Sequence, residues 1–203
     1  MTRFDRRHIL TGAAALALAP LPAIAADEPV FLTGDVVLGA EDAPVTIYEY
    51  LSLTCPHCAR FHAVTWPEVK KAYVDTGKVK FIMREVYFDQ YGLWAAMTAR
   101  CGDEEKYHWM IDKFLVEQQA WTRSSDLAGA IRKIGRRSGL SSDRLNACLT
   151  DRDYAKTLLD NYKSQQALHA VESTPTFIIN GEKHAGNMDF EKFSALIEPH
   201  LAG

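Results

Sequence analysis

Past residue 25, this 203-residue chain has no apolar run long enough to cross a bilayer. It has no internal repeat, no heptad pattern and no low-complexity tract. Charge of one sign is not in excess either: 23 Lys and Arg stand against 26 Asp and Glu, a formal net charge of −3. That balance argues against a nucleic-acid partner. Cysteine is scarce, with four residues in all, and no second close pair stands where a four-ligand zinc site would need one. What remains is an ordinary globular composition, 47% hydrophobic and 24% charged. The length suits one domain, or one domain with a sizeable insertion.

The N-terminus differs from the rest. Arg3, Arg6 and Arg7 precede an apolar, Ala- and Leu-rich stretch from Ile9 to Ile24 that contains Pro20 and Pro22, and Ala23-Ile24-Ala25 supplies small residues for cleavage. This predicts an export signal over residues 1–25, cleaved near Ala25, because the run is too short and too broken for an anchor. The Arg6-Arg7 pair fits a twin-arginine signal, and a Sec-type signal stays open. Taking three arginines and one aspartate from the totals leaves 20 basic and 25 acidic residues, net −5. The cluster Arg132, Lys133, Arg136, Arg137 reads as the wet face of a helix.

In an exported protein, four cysteines favour disulfides, and the pairing that leaves none over joins Cys55 to Cys58 and Cys101 to Cys148. The stretch LSLTCPHCARFH at 51–62 holds the first pair. Covalent haem attachment requires His directly after the second cysteine, and position 59 is Ala. Zinc would need a second close pair. A purely structural bridge over so short a loop removes little entropy from the unfolded chain. The remaining reading is thiol-disulfide exchange, with the cysteine pair itself as the redox group and neither cofactor nor metal required.

The surroundings suit that chemistry. Residues 45–53 are β-branched, aromatic and apolar, as in a buried strand. After Pro56, Phe61, Val64, Trp66 and Val69 recur at helical intervals towards Gly77. The cysteines therefore fall on a sharp turn at a helix N-terminus, with Thr54 or Cys55 as cap and Pro56 as first helical residue. Backbone N–H groups there stabilise an anion, so Cys55 is expected to ionise easily and to act as the nucleophile. His57, if protonated, would add positive charge. Cys58, one turn deeper, would be the resolving thiol.

YEYLSLTCPHC resembles the active-site strand and turn of the DsbA family of periplasmic thiol-disulfide oxidoreductases. The resemblance implies an α/β, thioredoxin-like fold with an inserted α-helical subdomain. It implies that Thr174-Pro175, before the strand-like TFII at 176–179, is a cis-proline loop that helps bind substrate. A trans proline opening an edge strand is the alternative from the residues alone. Glu49 matches the family's buried acid, which would serve as a base for Cys58; a solvated glutamate at a strand end is its alternative. The resemblance further implies a function and partners: a periplasmic oxidase that passes its disulfide to reduced, unfolded exported proteins. A DsbB-like membrane protein would reoxidise it.

The layout expected is a thioredoxin-like domain from 26–88 and 171–203 around a helical insertion at 89–170. Strands are expected at 35–39, 45–53, 79–86 and 176–179, with a short partner around 183–185, and a last helix at 189–201. Within the insertion, Phe114, Leu115, Leu127, Ile131, Ile134, Leu145, Leu158 and Leu159 recur at helical spacing, with boundaries at Gly102, Ser125, Gly139 and Ser142. Cys101 and Cys148 are expected to form a structural staple, or a redox-sensitive bond that tunes the first. His62, His108, His169 and His184 carry no assigned role, and the tryptophans are read as core. About ten residues separate Ala25 from the first strand, which leaves no room for an N-terminal dimerisation domain of the isomerase kind and favours a monomer. A reductase or isomerase of the same fold, and a non-catalytic holdase, are the alternatives.

Overall fold

The computed structural model describes residues 31–201; the export signal expected at 1–25 lies outside them. Five strands form one sheet: β1 (Val37–Leu38), β2 (Val45–Leu51), β3 (Val79–Glu85), β4 (Thr176–Ile179) and β5 (Glu182–Ala185), in the order β1-β3-β2-β4-β5. β2 is the central strand, parallel to β3 and antiparallel to β4. Its VTIYEYL sequence is buried almost throughout, as expected of a strand covered on both faces.

The first helix is broken where a single one was expected. α1 (Pro56–Val64) stops at Thr65, and α2 (Trp66–Val69) resumes with Pro67 in its first turn, followed by a π-helical turn at Lys70–Val74. Pro67 has no N–H to continue the ladder of α1, so the chain re-initiates there. Phe61 on α1 meets Phe177 of β4, ring centroids 4.7 Å apart, and Phe193 at 5.4 Å. Phe193 belongs to the last helix, α9 (Phe190–Leu201), and lies 4.8 Å from Phe177 edge-on. These three rings, with Ile47, Phe81 and Trp66, anchor the core beneath the cysteine pair.

Between β3 and β4 run six helices: α3 (Gln90–Arg100), α4 (Glu104–Val116), α5 (Gln118–Thr122), α6 (Leu127–Arg137), α7 (Ser142–Thr150) and α8 (Arg152–Leu168). Aspartate or serine side chains cap most of them. Asp126 accepts from Gly129 N–H and Ser141 from Arg144 N–H, one residue away from the expected Ser125 and Ser142. Ile131 and Ile134 of α6 are buried while Lys133, Arg136 and Arg137 face out, the wet face expected of that cluster. Cys101, at the end of α3, and Cys148 on α7 form a disulfide with Cα atoms 6.0 Å apart. Trp66 and Trp121 are buried, whereas Trp94 and Trp109 are only partly so.

A hairpin closes the sheet at Asn180-Gly181, where both residues have positive φ, 45° and 94°. Only a primed turn joins twisted strands so tightly, and Gly takes that conformation without cost. Asn180 Oδ1 also accepts a hydrogen bond from Thr46 N–H, 2.8 Å, which ties the turn to the start of β2.

Candidate active site

The chain leaves β2 at Leu51 and turns within four residues into α1. Cys55 is the N-cap, extended at φ −82°, and Pro56 is the first helical residue. Cys55 N–H donates to Ser52 O, 3.0 Å, which shapes the turn. Two side chains from the helical insertion brace it. Gln118 donates to the carbonyl oxygens of Leu53 at 2.8 Å and Cys55 at 2.9 Å. Asp89 accepts from the Thr54 hydroxyl at 2.8 Å while capping α3 through Tyr91 and Gly92 N–H groups. Neither Gln118 nor Asp89 was among the residues singled out from the sequence.

Cys55 and Cys58 are free thiols here. Cys55 is 9% exposed and Cys58 fully buried. Their environments push them in opposite directions. Cys55 falls well below its ordinary 9.0, to about 5, first because the Cys58 thiol donates to its sulfur, against a burial penalty. The Thr174 side chain and the backbone N–H groups of Cys58 and His57 add to the stabilisation. Burial drives Cys58 far above the usual thiol range, and its hydrogen bond to Cys55 and the charge of Glu49 push it the same way. His57 is exposed, and its backbone N–H helps to stabilise the Cys55 anion.

The Thr174–Pro175 bond is cis, and it faces the cysteine pair. The Thr174 carbonyl oxygen lies 3.3 Å from Cys55 Sγ, which donates to it in the thiol form. Gly186 N–H donates to Pro175 O, 2.8 Å, and the Thr176 hydroxyl to Ser173 O, 2.7 Å, so the loop is held from both sides. Pro56, His57, Thr174 and Pro175 thus gather around Cys55, while Glu49 stands below with Cys58. Cys101 and Cys148 lie apart, between α3 and α7 of the insertion.

Glu49 is fully buried, which removes the solvated alternative. It shares a hydrogen bond with His62, whose Nε2 is 3.0 Å from Oε2 and 3.3 Å from Oε1. His62, which carried no role in the sequence reading, is buried at 1% exposure. The signal available was spacing, since position 62 follows Cys58 by four and shares its face. Among the described residues, no group of three His, Cys, Asp or Glu side chains is placed to hold a metal ion, and no helix is long and apolar enough to cross a membrane.

A family model described as Thioredoxin matches residues 32–199. A Rickettsia conorii protein named for protein-disulfide oxidoreductase activity is 32% identical over 183 residues, covering 89% of this chain and 66% of that protein. A Rickettsia bellii protein of the same name is 33% identical over 165 residues, covering 81% of this chain and 63% of its own length. The chain thus spans just under two thirds of these relatives. Among solved structures, α-DsbA1 of Wolbachia pipientis matches with a TM-score of 0.77 at 29% identity, covering 91% of this chain and 94% of that one. BdbD of Bacillus subtilis shares the fold at TM-score 0.75 and 22% identity, covering 83% of this chain and 94% of its own.

Proposed function

Because the chain belongs to the thioredoxin family, in its DsbA-like branch, we propose that it is a thiol-disulfide oxidoreductase working as a dithiol oxidase. The observation that carries this reading is the divergence of the two thiols, with Cys55 held at about 5 and its partner driven up. A stabilised Cys55 thiolate is a stabilised reduced form, and a stabilised reduced form makes the disulfide a strong oxidant. A substrate thiolate attacks Cys55 of the Cys55–Cys58 disulfide, and Cys58 leaves with the electron pair and takes up a proton. A second substrate thiolate then attacks the mixed disulfide. Cys55 leaves as its anion, the substrate is bridged, and the protein is a dithiol.

The roles follow from position. Cys55 is the exchanging sulfur and Cys58 the resolving one, and Pro56 and the N–H groups of α1 fix and stabilise the anion. The cis-proline loop at Thr174-Pro175 offers a backbone edge on which an extended substrate segment can pair beside Cys55. A groove of about 660 Å³ runs from Pro56 past Arg60 to Val116, Gln118 and Arg123, and an unfolded chain would lie along it beside Cys55. Reduced exported proteins are the substrate class and a quinone-linked membrane protein of the DsbB type the reoxidant, with the periplasm as the compartment and a monomer as the working unit.

The test uses oxidised protein and a reduced peptide with two cysteines, with thiols counted over time. The expected result is loss of two peptide thiols per protein disulfide, abolished by Cys55→Ser. A constant thiol count with the peptide merely held would favour a holdase instead.

A further inference from the structure

Cys58 and His62 stand four positions apart on α1, so helical geometry stacks them on one side. Glu49 of β2 meets that side, and all three are buried. A buried carboxylate paired with a histidine is costly to desolvate, and apolar residues of similar size would serve packing at least as well. The pair lies beside the one thiol of the site that must gain and lose a proton in a dry interior.

His62 has a second ring nitrogen. Nδ1 is buried without a hydrogen-bond partner, and Asp112 Oδ1 on α4 is 4.0 Å from it. The Asp112 side chain is 38% exposed and lines a solvent-open pocket of about 310 Å³ with Trp66, Lys70 and His108. A bridging water or a turn of that side chain would span the 4.0 Å to Nδ1. Cys58, Glu49, His62 and Asp112 therefore succeed one another from the buried sulfur to the surface, every member buried except the last: Glu49 acts on Cys58 through its charge, Glu49 and His62 are hydrogen-bonded, and Asp112 stands just beyond hydrogen-bond reach of Nδ1.

We infer that Glu49, His62 and Asp112 are a proton path for Cys58, with His62 a positioning and relay residue that acts through Glu49. The inference rests on the oxidoreductase reading above and gives it a route for the proton. When Cys58 leaves as the substrate attacks, its sulfur takes a proton from Glu49. Glu49 is recharged from His62 Nε2, and Nδ1 takes a proton from Asp112 and solvent. On reoxidation the order reverses. Nδ1 releases its proton to Asp112 and solvent, Glu49 passes its own proton to Nε2, and the Glu49 carboxylate so formed takes the proton of the Cys58 S–H. The sulfur attacks Cys55 in a mixed disulfide, and the partner thiolate leaves with the electron pair. The two half-cycles return the imidazole to its starting tautomer without a ring flip.

The groups that face His62 are Cys58 on its own helix, Glu49 on β2 and Asp112 on α4, with Lys70 and His108 on the pocket beyond. Asp75 pairs with Lys70 and offsets its charge, and burial lowers the pKa of His108, which disfavours its charged form.

Reduced protein is mixed with oxidised glutathione, quenched with acid and resolved by mass into dithiol, mixed disulfide and Cys55–Cys58 disulfide, from pH 5 to 8. This separates attack by Cys55 from closure by Cys58. His62→Gln keeps a donor for Glu49 but cannot relay a proton, and Asp112→Asn alters only the partly exposed end. Closure in the wild type is expected to vary little with pH. In His62→Gln it falls by about tenfold at pH 6, less than the ~100-fold of losing a base in direct contact, and then rises steeply with pH. Asp112→Asn slows closure several-fold, and mixed-disulfide formation is unchanged in both. A folded His62→Gln whose closure keeps the wild-type pH profile overturns the relay. Should that variant not fold, Asp112→Asn decides alone, and wild-type closure in it overturns the relay. Wild-type protein that accumulates the mixed disulfide without closing would instead sink the oxidoreductase reading.

Discussion

Cys55 Sγ lies 3.3 Å from the carbonyl oxygen of Thr174, 119 residues away in the sequence. The contact joins the two segments of the site. One ends the central strand and starts a helix, the other ends the long helical insertion and starts the antiparallel neighbour of that strand. Everything assigned to the pair depends on this meeting, because the side chain of the same threonine helps hold the Cys55 anion.

The first prediction concerns that anion. The ultraviolet absorbance of the reduced protein should show one thiolate appearing with a midpoint near pH 5, and Cys55→Ser should remove it. Cys58 should stay protonated through pH 9, since burial holds it up. A first thiolate appearing only near 9 would contradict the assignment.

Stability should follow the same shift. The folded pKa of Cys55 lies below the unfolded value near 9, so its ionisation favours the folded reduced form. The contribution is complete near pH 9 and is lost as pH falls to about 5. Denaturant unfolding of reduced against oxidised protein should therefore show the reduced form gaining relative stability from pH 5 upwards. Above pH 9 the unfolded chain can ionise Cys58 and the buried thiol becomes a cost, so the gain should stop there. A difference independent of pH would contradict this.

Gln118 offers a separate test of the active-site turn. Gln118→Ala strands the carbonyl oxygens of Leu53 and Cys55 without that donor, and an unsatisfied buried acceptor costs roughly 1–3 kcal/mol. Urea denaturation should register that loss. Reaction at Cys55 should slow as well, because the cap of α1 is no longer braced.

A buried ion pair ties the insertion to β3, and its removal should be severe. Arg100 Nη2 is 2.7 Å and Nε 2.9 Å from the carboxylate of Glu85, both side chains being nearly inaccessible. Arg100→Met leaves Glu85 as an uncompensated buried charge, at about 3–5 kcal/mol. Adding Glu85→Leu should recover much of that loss, which calorimetry of the single and double variants will show.

Removing the second disulfide should affect stability alone. Cys101 and Cys148 are 47 positions apart, and in the chain-entropy model cross-linking so long a loop contributes about 4 kcal/mol. A Cys101→Ala/Cys148→Ala variant should unfold at lower denaturant yet exchange disulfides at Cys55 at the wild-type rate. An altered rate would mean that the bond tunes the first pair.

Much of this architecture is legible in the residues. β2 announces itself by its β-branched and aromatic run, the turn by Cys-Pro after it, the hairpin by Asn180-Gly181, and α6 by the spacing of Ile131 and Ile134 against its basic face. The failures have physical causes. Ser125 and Asp126, like Ser141 and Ser142, are adjacent residues of capping type, and composition cannot say which one the chain will use. Pro67 suits the first turn of a helix as well as it breaks one, so composition does not say which; here its missing N–H ends α1 and opens α2. Glu49 reads equally well as wet or buried until α1 lays His62 over it. His62 was passed over because its partner lies on another element, although its spacing from Cys58 was visible. Gln118 acts on Leu53 and Cys55 from 65 and 63 positions away, a relation no local pattern carries.

The central claim is that Cys55–Cys58 is an oxidising disulfide, and the reduction potential of that pair tests it most directly. Protein equilibrated across glutathione ratios would be resolved by mass, with Cys101 and Cys148 followed separately. The account predicts a potential near −120 mV, the figure known for DsbA itself rather than one obtained from this geometry. A potential near −270 mV, that of thioredoxin, would mean that the Cys55 thiolate is not stabilised enough to drive oxidation. The chain would then be a reductase.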